Sequence, residues 1–129
     1  MSPLAVEEIV RFASPVTFMR RTATRETELA GTQLREGDKV ILLYGAANRD
    51  EIIFEGPECF DVSRSPNPHL GYGAPGPHFC LGASLARREN TVMWEELLRR
   101  VPTIVVDGPV EYLRSNFVNG IKRLPARIA

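Results

Sequence analysis

Residues 69 to 89, HLGYGAPGPHFCLGASLARRE, set one thiol, Cys80, between a Gly- and Pro-rich loop and a helix-forming run. A helix N-terminus offers unpaired N–H groups and partial positive charge. Both favour thiolate over thiol. Gly82, two residues on, has no Cβ and admits a large flat group close to the backbone. A thiolate beside open backbone suits a flat group with a metal at its centre, namely haem iron held by cysteine. Zinc would ask for several ligands at short spacings, which His78 and Cys80 with one further Cys and one further His do not offer. The plain alternative is a buried, inert Cys80. Nothing in the sequence supports a disulfide with Cys59, and two cysteines in an ordinary composition suggest a reducing compartment.

The elements that must position this thiol follow from the pattern. Pro3 to Phe12 reads as a helix, capped by Ser2, opened by Pro3, with Glu7 and Glu8 early where the dipole favours them. Residues 16–24 read as a strand, and 28–32 and 37–44 as two more, joined by a polar turn at 35–38. Residues 45–51 form a short helix or turn. Residues 54–79 hold five of the ten prolines and four of the ten glycines; so long an irregular stretch is expected only where the loop is functional. Gly82 to Val101 is the strongest helix, with Ala86, Met93, Leu97 and Val101 on one face and Glu95–Arg99 and Glu96–Arg100 as i,i+4 pairs. Strands are expected near 103–106, 112–114 and 121–128. The fold class is α+β.

The chain has 129 residues, enough for one domain, and 43% hydrophobic residues, enough for a packed core. Sixteen basic and sixteen acidic side chains cancel, which argues against nucleic acid or an anionic membrane as the main partner. The N-terminus lacks the pattern of a signal peptide and no run reaches membrane-spanning length. The expectation is a cytoplasmic protein with no membrane span. Glu8 and Arg11 stand one turn apart on the first helix. By itself such a pair is usually a solvated surface pair of little value.

The thiol loop resembles the haem-binding loop of the cytochrome P-450 family, an aromatic followed by Gly-x-Gly-x-His/Arg-x-Cys-x-Gly. Gly76, His78, Cys80 and Gly82 match it, with Tyr72 as the aromatic where Phe is usual, and with one extra loop residue, as in bacterial members that oxidise sterols and long-chain lipids. Ala74 and Pro75 stand where that branch often has glycines. The resemblance runs from Leu4 to Ile128. It implies the C-terminal part of the P-450 fold: a K-type helix, short β-sheets, a meander, the Cys loop, a long L-type helix and terminal strands. It implies heme b, with the Cys80 thiolate as axial ligand and His78 and Arg21 holding propionates. It also implies that Glu8 and Arg11 form the buried Glu-x-x-Arg pair that locks the meander. The family closes that pair with a meander Arg, where this sequence has Cys59; Arg64 and Arg49 are the candidate replacements.

The same resemblance places Val16 and Thr17 after the first helix, and Phe117 and Val118 in the late turn, against a hydrophobic small-molecule substrate, by analogy a sterol or long-chain lipid. It gives Ala47 to Glu51 a structural turn. It puts Arg64, Arg87 and Arg88 on the cysteine side, where a ferredoxin-type acidic donor would dock. The chain matches only about the C-terminal third of a typical member as one partial domain, 1–129, and has no (Ala/Gly)-Gly-x-x-Thr, so no oxygen-activating catalytic residue is expected in it. Two readings follow. One is the haem-thiolate segment of a monooxygenase, the other a truncated remnant with no enzymatic role. A small thiol-bearing domain that never meets haem leaves the match of Arg21, His78 and Cys80 unexplained. On the first two readings, apolar surface should lie open on one side.

Overall fold

The computed structural model describes residues 2–129. Helix α1, Pro3–Ala13, starts where the Ser2 side chain accepts the Leu4 amide at 3.3 Å. It ends at Ser14, whose left-handed φ of 41° turns its amide back to the Val10 carbonyl, 3.0 Å. Its first turn holds no acidic residue. The dipole is therefore not what places Glu7 and Glu8; both have specific partners, described below.

Strand β1, Phe18–Thr22, pairs antiparallel with β4, Lys39–Leu43, setting Arg21 opposite Val40. Between them lies a hairpin of β2, Thr27–Leu29, and β3, Thr32–Leu34. The single strand expected over 28–32 is thus two strand ends around a reversal. Ala30 and Gly31 both take positive φ, 47° and 79°, the twist that tight hairpins favour. The turn at 35–38 closes where the Asp38 carboxylate accepts the Arg35 amide at 2.8 Å. Helix α2, Tyr44–Ala47, is one turn long.

Residues 48–82 carry no helix or strand. Helix α3, Ala83–Arg100, follows directly. Then come β5, Ile104–Val106, paired with β8, Ala126–Ile128, and β6, Glu111–Tyr112, paired with β7, Ile121–Arg123. The one strand expected over 121–128 is split at Leu124-Pro125, because Pro has no N–H for the ladder; the Pro125 carbonyl instead accepts the Asp107 amide, 2.9 Å. The result is an α+β chain whose described strands form four separate pairs.

The inward stripe of α3 runs through Ala83, Ala86, Asn90, Trp94, Leu97 and Val101, all buried or half-buried. Met93, expected on that stripe, points outward and is 53% exposed; Trp94, one position on, keeps the i,i+3/i+4 spacing with Asn90 and Leu97. Arg99 and Arg100 both close on Glu96, at 2.6 and 2.7 Å, the second being the expected i,i+4 pair.

The buried centre is small and half polar. Ala5, Val6, Val10, Phe54, Tyr72 and Ala83 are its apolar part; Glu8, Arg11, Ser14 and Asn48 lie as deep. Around it the chain exposes 9546 Å², where a compact globule of 14.4 kDa exposes about 6,800 Å². Leu81, Leu85, Ile52 and Ile128 stand largely in the open, an apolar exposure beyond that of an ordinary small domain.

Gly71 is where the irregular segment meets α1. A Cβ there would sit 2.5 Å from Val10 Cγ1 and 3.3 Å from the Val10 carbonyl oxygen, and the short, branched Val10 cannot swing away. Gly71→Ala should therefore cost about 1–3 kcal/mol, read as a lowered urea midpoint. An unchanged midpoint would show that α1 and the loop are not in such close contact.

Candidate functional site

The site is built outward from Glu8 and Arg11, both fully buried. The two form a bidentate pair, Arg11 Nε to Glu8 Oε2 and Nη2 to Oε1, each 2.7 Å. Arg11 Nη1 also donates to the carbonyls of Asn48 and Pro57, both at 2.8 Å, and Nη2 to that of Cys59 at 3.0 Å. Glu8 accepts the Asp61 amide at 2.9 Å, Asn67 Nδ2 at 3.0 Å and Arg64 Nε at 3.2 Å. Every donor of the guanidinium fork is thereby directed either at the carboxylate or at loop carbonyls. Burial pushes the Glu8 carboxyl up; the hydrogen bonds from Arg11, the Asp61 amide and Arg64 outweigh it and bring it to about 2.

Arg64 is thus the cation that closes the pair, and Cys59 contributes its carbonyl in place of a side chain, accepting from Arg11 and from Arg64, the latter at 3.1 Å. The Cys59 thiol faces solvent. Arg49 takes another route, donating to the Phe12 carbonyl at 3.0 Å and to Glu58 at 3.2 Å while stacking on Phe12. Asn48 is the keystone that sequence reading passed over within the 47–51 turn. Its amide group donates to Ser14 Oγ at 3.0 Å and accepts the Leu70 amide at 2.7 Å. It joins α1, α2 and the start of the thiol loop.

A second ionic cluster lies on the other side of α1. Arg87 of α3 clamps Glu7 with two hydrogen bonds, 2.6 and 2.8 Å. His69 Nδ1 accepts the Gly71 amide at 3.0 Å, so its Nε2 proton goes to Glu7, 2.8 Å away. The Arg87 hydrogen bonds are the largest influence on the Glu7 carboxyl and hold it below its ordinary value. Arg87 lies over the Tyr72 ring, 4.4 Å from its centroid, and the Tyr72 carbonyl accepts the Cys80 amide at 2.9 Å. Glu7, His69 and Arg87 were not read as a unit from sequence, since residues 62 and 80 positions apart leave no spacing signal. Of the three arginines expected on the cysteine side, Arg64 and Arg87 are engaged by the α1 carboxylates, Arg87 with its side chain still partly exposed, and Arg88 is exposed.

The loop itself presents its chemistry to the outside. Gly73 and Gly76 adopt positive φ, 81° and 141°, which side-chain-bearing residues rarely take. Cys80 is free and exposed. Gly82 leaves space beside the sulfur, where a Cβ would lie 3.9 Å from Cys80 Sγ. A cleft of about 500 Å³ is lined by Arg21 of β1, Leu42 and Leu43 of β4, Leu70, and loop residues 73–78 including His78. The fold thus brings Arg21 and His78 to one cavity from distant parts of the chain, and Cys80 follows His78 two residues later in the sequence. Arg20, next along β1, points to solvent.

The two segments expected at a substrate are also in contact. Val16 bridges to Val118. The Thr17 amide donates to the Phe117 carbonyl at 2.9 Å, and the Phe18 and Phe117 rings meet edge to face, 5.9 Å apart. Asn119 ties this turn to α1 through the Ala13 carbonyl, 2.7 Å. Phe117 and Val118 stay partly open. Among the described residues no group of three or more His, Cys, Asp and Glu side chains is placed to hold an ion, and no helix is long and apolar enough to cross a membrane.

A model of the cytochrome P450 family matches residues 3–117, and the chain belongs to that family. It is 56% identical over 125 residues to the methyl-branched lipid omega-hydroxylase of Mycobacterium tuberculosis, covering 97% of this chain and 29% of that protein. It is 49% identical over 116 residues to the steroid C26-monooxygenase of Rhodococcus jostii, covering 90% and 25%. Among solved structures it superposes on a Mycobacterium marinum cytochrome P450 in complex with pseudoionone, with a TM-score of 0.91 and 48% identity over 95% of this chain and 30% of the other. The chain therefore spans less than a third of the length of these relatives, and its α+β architecture is a part of the cytochrome P450 fold. The family implies a haem cofactor. The residues present fit one: a free thiol beside an unobstructed glycine, and an arginine and an imidazole in an apolar cleft, suited to the carboxylates of a flat, greasy ligand.

Because the Glu8 carboxyl titrates near 2 in the folded chain, below its ordinary 4.5, its contribution to stability is complete above about pH 4.5 and is lost as pH falls towards 2. Urea midpoints should fall steeply over that window by the equivalent of ~3 kcal/mol. Glu8→Gln should flatten this slope while itself costing about 3–5 kcal/mol at neutral pH, since it leaves Arg11 buried and uncompensated. A flat acid profile in the parent chain would contradict the pairing.

Proposed function

We propose that this chain, as a member of the cytochrome P450 family, carries the haem-thiolate site of a monooxygenase that hydroxylates a hydrophobic substrate of the sterol or long-chain lipid class. Residues 1–129 act as one unit of that catalytic domain. The observation that carries the reading is the meeting of Arg21 and His78 in one apolar cleft, with a free, exposed Cys80 two residues beyond His78 in the sequence. Cys80 would hold the iron of heme b through its thiolate, Arg21 and His78 would hold its propionates, and Tyr72 and Gly82 flank the ligand loop. Haem held there would supply the chemistry of O₂ activation.

The chain's own residues bind and orient. Arg21 offers a planar fork of donors to a carboxylate, and His78 offers an imidazole N–H. Leu42, Leu43 and Leu70 keep water from the edge of the cleft. Val16, Thr17, Phe117 and Val118 form a cross-linked apolar corner for the substrate, in keeping with relatives whose names specify methyl-branched lipid and steroid hydroxylation. Proton delivery to oxygen belongs to groups other than these. Electrons come from a ferredoxin-type donor, as the resemblance to bacterial members suggests, and the protein works in the cytoplasm.

Haemin added to the purified chain, then reduced and exposed to carbon monoxide, should give a strongly red-shifted Soret band that Cys80→Ser abolishes. Arg21→Ala should weaken haem retention at least about tenfold, the loss of one charge-assisted hydrogen bond, without moving the band. Folded chain with no such band would overturn the assignment and favour a truncated remnant without enzymatic role.

A further inference from the structure

Arg87 does not line the cleft, yet it is tied to α1 by hydrogen bonds and to the thiol loop by stacking. Its fork is filled by Glu7, at 2.6 and 2.8 Å, and Glu7 is fixed in turn by His69 Nε2 at 2.8 Å. His69 is anchored by the Gly71 amide, so three corners of the cluster sit on three segments: α1, the entry to the loop, and α3. The fourth is Tyr72, buried, with the guanidinium 4.4 Å above its ring and the His69 ring 5.7 Å away. Tyr72 holds Cys80 by a backbone hydrogen bond of 2.9 Å. The loop between these two residues is otherwise crossed only by short turns, such as the Phe79 amide to the Gly76 carbonyl at 3.0 Å, and its residues 74–80 are exposed.

We propose that Arg87 is a positioning residue for Cys80, acting through Tyr72, with Glu7 and His69 holding the guanidinium in place. The stack keeps the Tyr72 ring flat against α3, the Tyr72 carbonyl keeps the Cys80 amide in place, and the sulfur is thereby held at one height above the helix start. Lysine cannot substitute, because a point charge neither fills both Glu7 oxygens nor stacks as a plane. The ligand role of Cys80 rests on the function proposed above; the positional role of Arg87 is readable without it.

The test is amide hydrogen exchange on the full chain without haem, followed by the carbon monoxide spectrum with haem. Arg87→Ala, Arg87→Lys and Glu7→Gln should each speed exchange at the Cys80 amide at least tenfold. The Leu70 amide, held separately by Asn48, should keep its protection, and Arg99→Ala on the exposed end of α3 should change neither. The Glu7→Gln/Arg87→Lys double variant should be no worse than the worse single one, as for members of one unit. With haem bound, the same variants should shift part of the red-shifted band to the position of haem lacking a thiolate. Unchanged Cys80 exchange in a variant with intact Leu70 protection would overturn the proposal, as would additive effects in the double variant. If Arg87→Ala also frees Leu70, Arg87→Lys decides by the same criterion. A parent chain with no thiolate band but a tenfold effect at the Cys80 amide would sink the proposed function and leave the positional role standing.

Discussion

A carboxylate and a guanidinium taken wholly out of water constrain everything else in this chain. Desolvating such a pair costs several kcal/mol per ion unless the remaining lone pairs and protons find partners. The partners of Glu8 and Arg11 are backbone groups and side chains of the irregular segment: the carbonyls of Asn48, Pro57 and Cys59, the amide of Asp61, and Asn67 and Arg64. A stretch without helix or strand cannot satisfy its backbone through a ladder, and here the ion pair does so in its place. The meander has a fixed path because two charges require one, and the thiol loop begins where that path ends.

How much of this was legible in the sequence depends on the range over which each signal acts. α1 and α3 were readable because capping, periodicity and Pro102 act within a few residues. Hairpin β2–β3 was misplaced because Leu29-Ala30-Gly31-Thr32 looks like continuous strand, and only the positive φ at Ala30 reveals the reversal. In the site, Cys80, His78 and Gly82 share one short motif, so their grouping was visible; Arg21 joined them by resemblance, and the β1–β4 pairing gives that grouping its geometry. Arg64 could be named as a candidate partner of Glu8 but not chosen over Arg49, since the choice turns on which side chain stacks on Phe12. Asn48 and His69 gave no signal at all. A buried amide and a buried imidazole look like any polar residue until the groups that they satisfy are in view.

The small core and the large open surface belong together. Among the described residues six apolar ones are buried, while Leu81, Leu85 and Leu98 of α3 and its approach lie open, so α3 is anchored on one side by Ala83 and Arg87 and bare on others. Its inward stripe is thin, running from Ala83 through Trp94 and Leu97 to Val101, of which only Ala83 is fully buried. Polar networks therefore carry a greater share of the order in this chain than in a domain with a thick apolar core, and specificity of geometry comes from hydrogen-bond direction more than from packing.

Glu7 and Glu8 are sequence neighbours, so they point about 100° apart around one helix. One grips the meander, the other grips α3 and the thiol loop. Helix α1 is thereby an axle with two gears on it: any rotation that seats one carboxylate seats the other. A helix turned to seat only one carboxylate would leave the other's cations without their partner, so the two partner sets together specify a single orientation of α1.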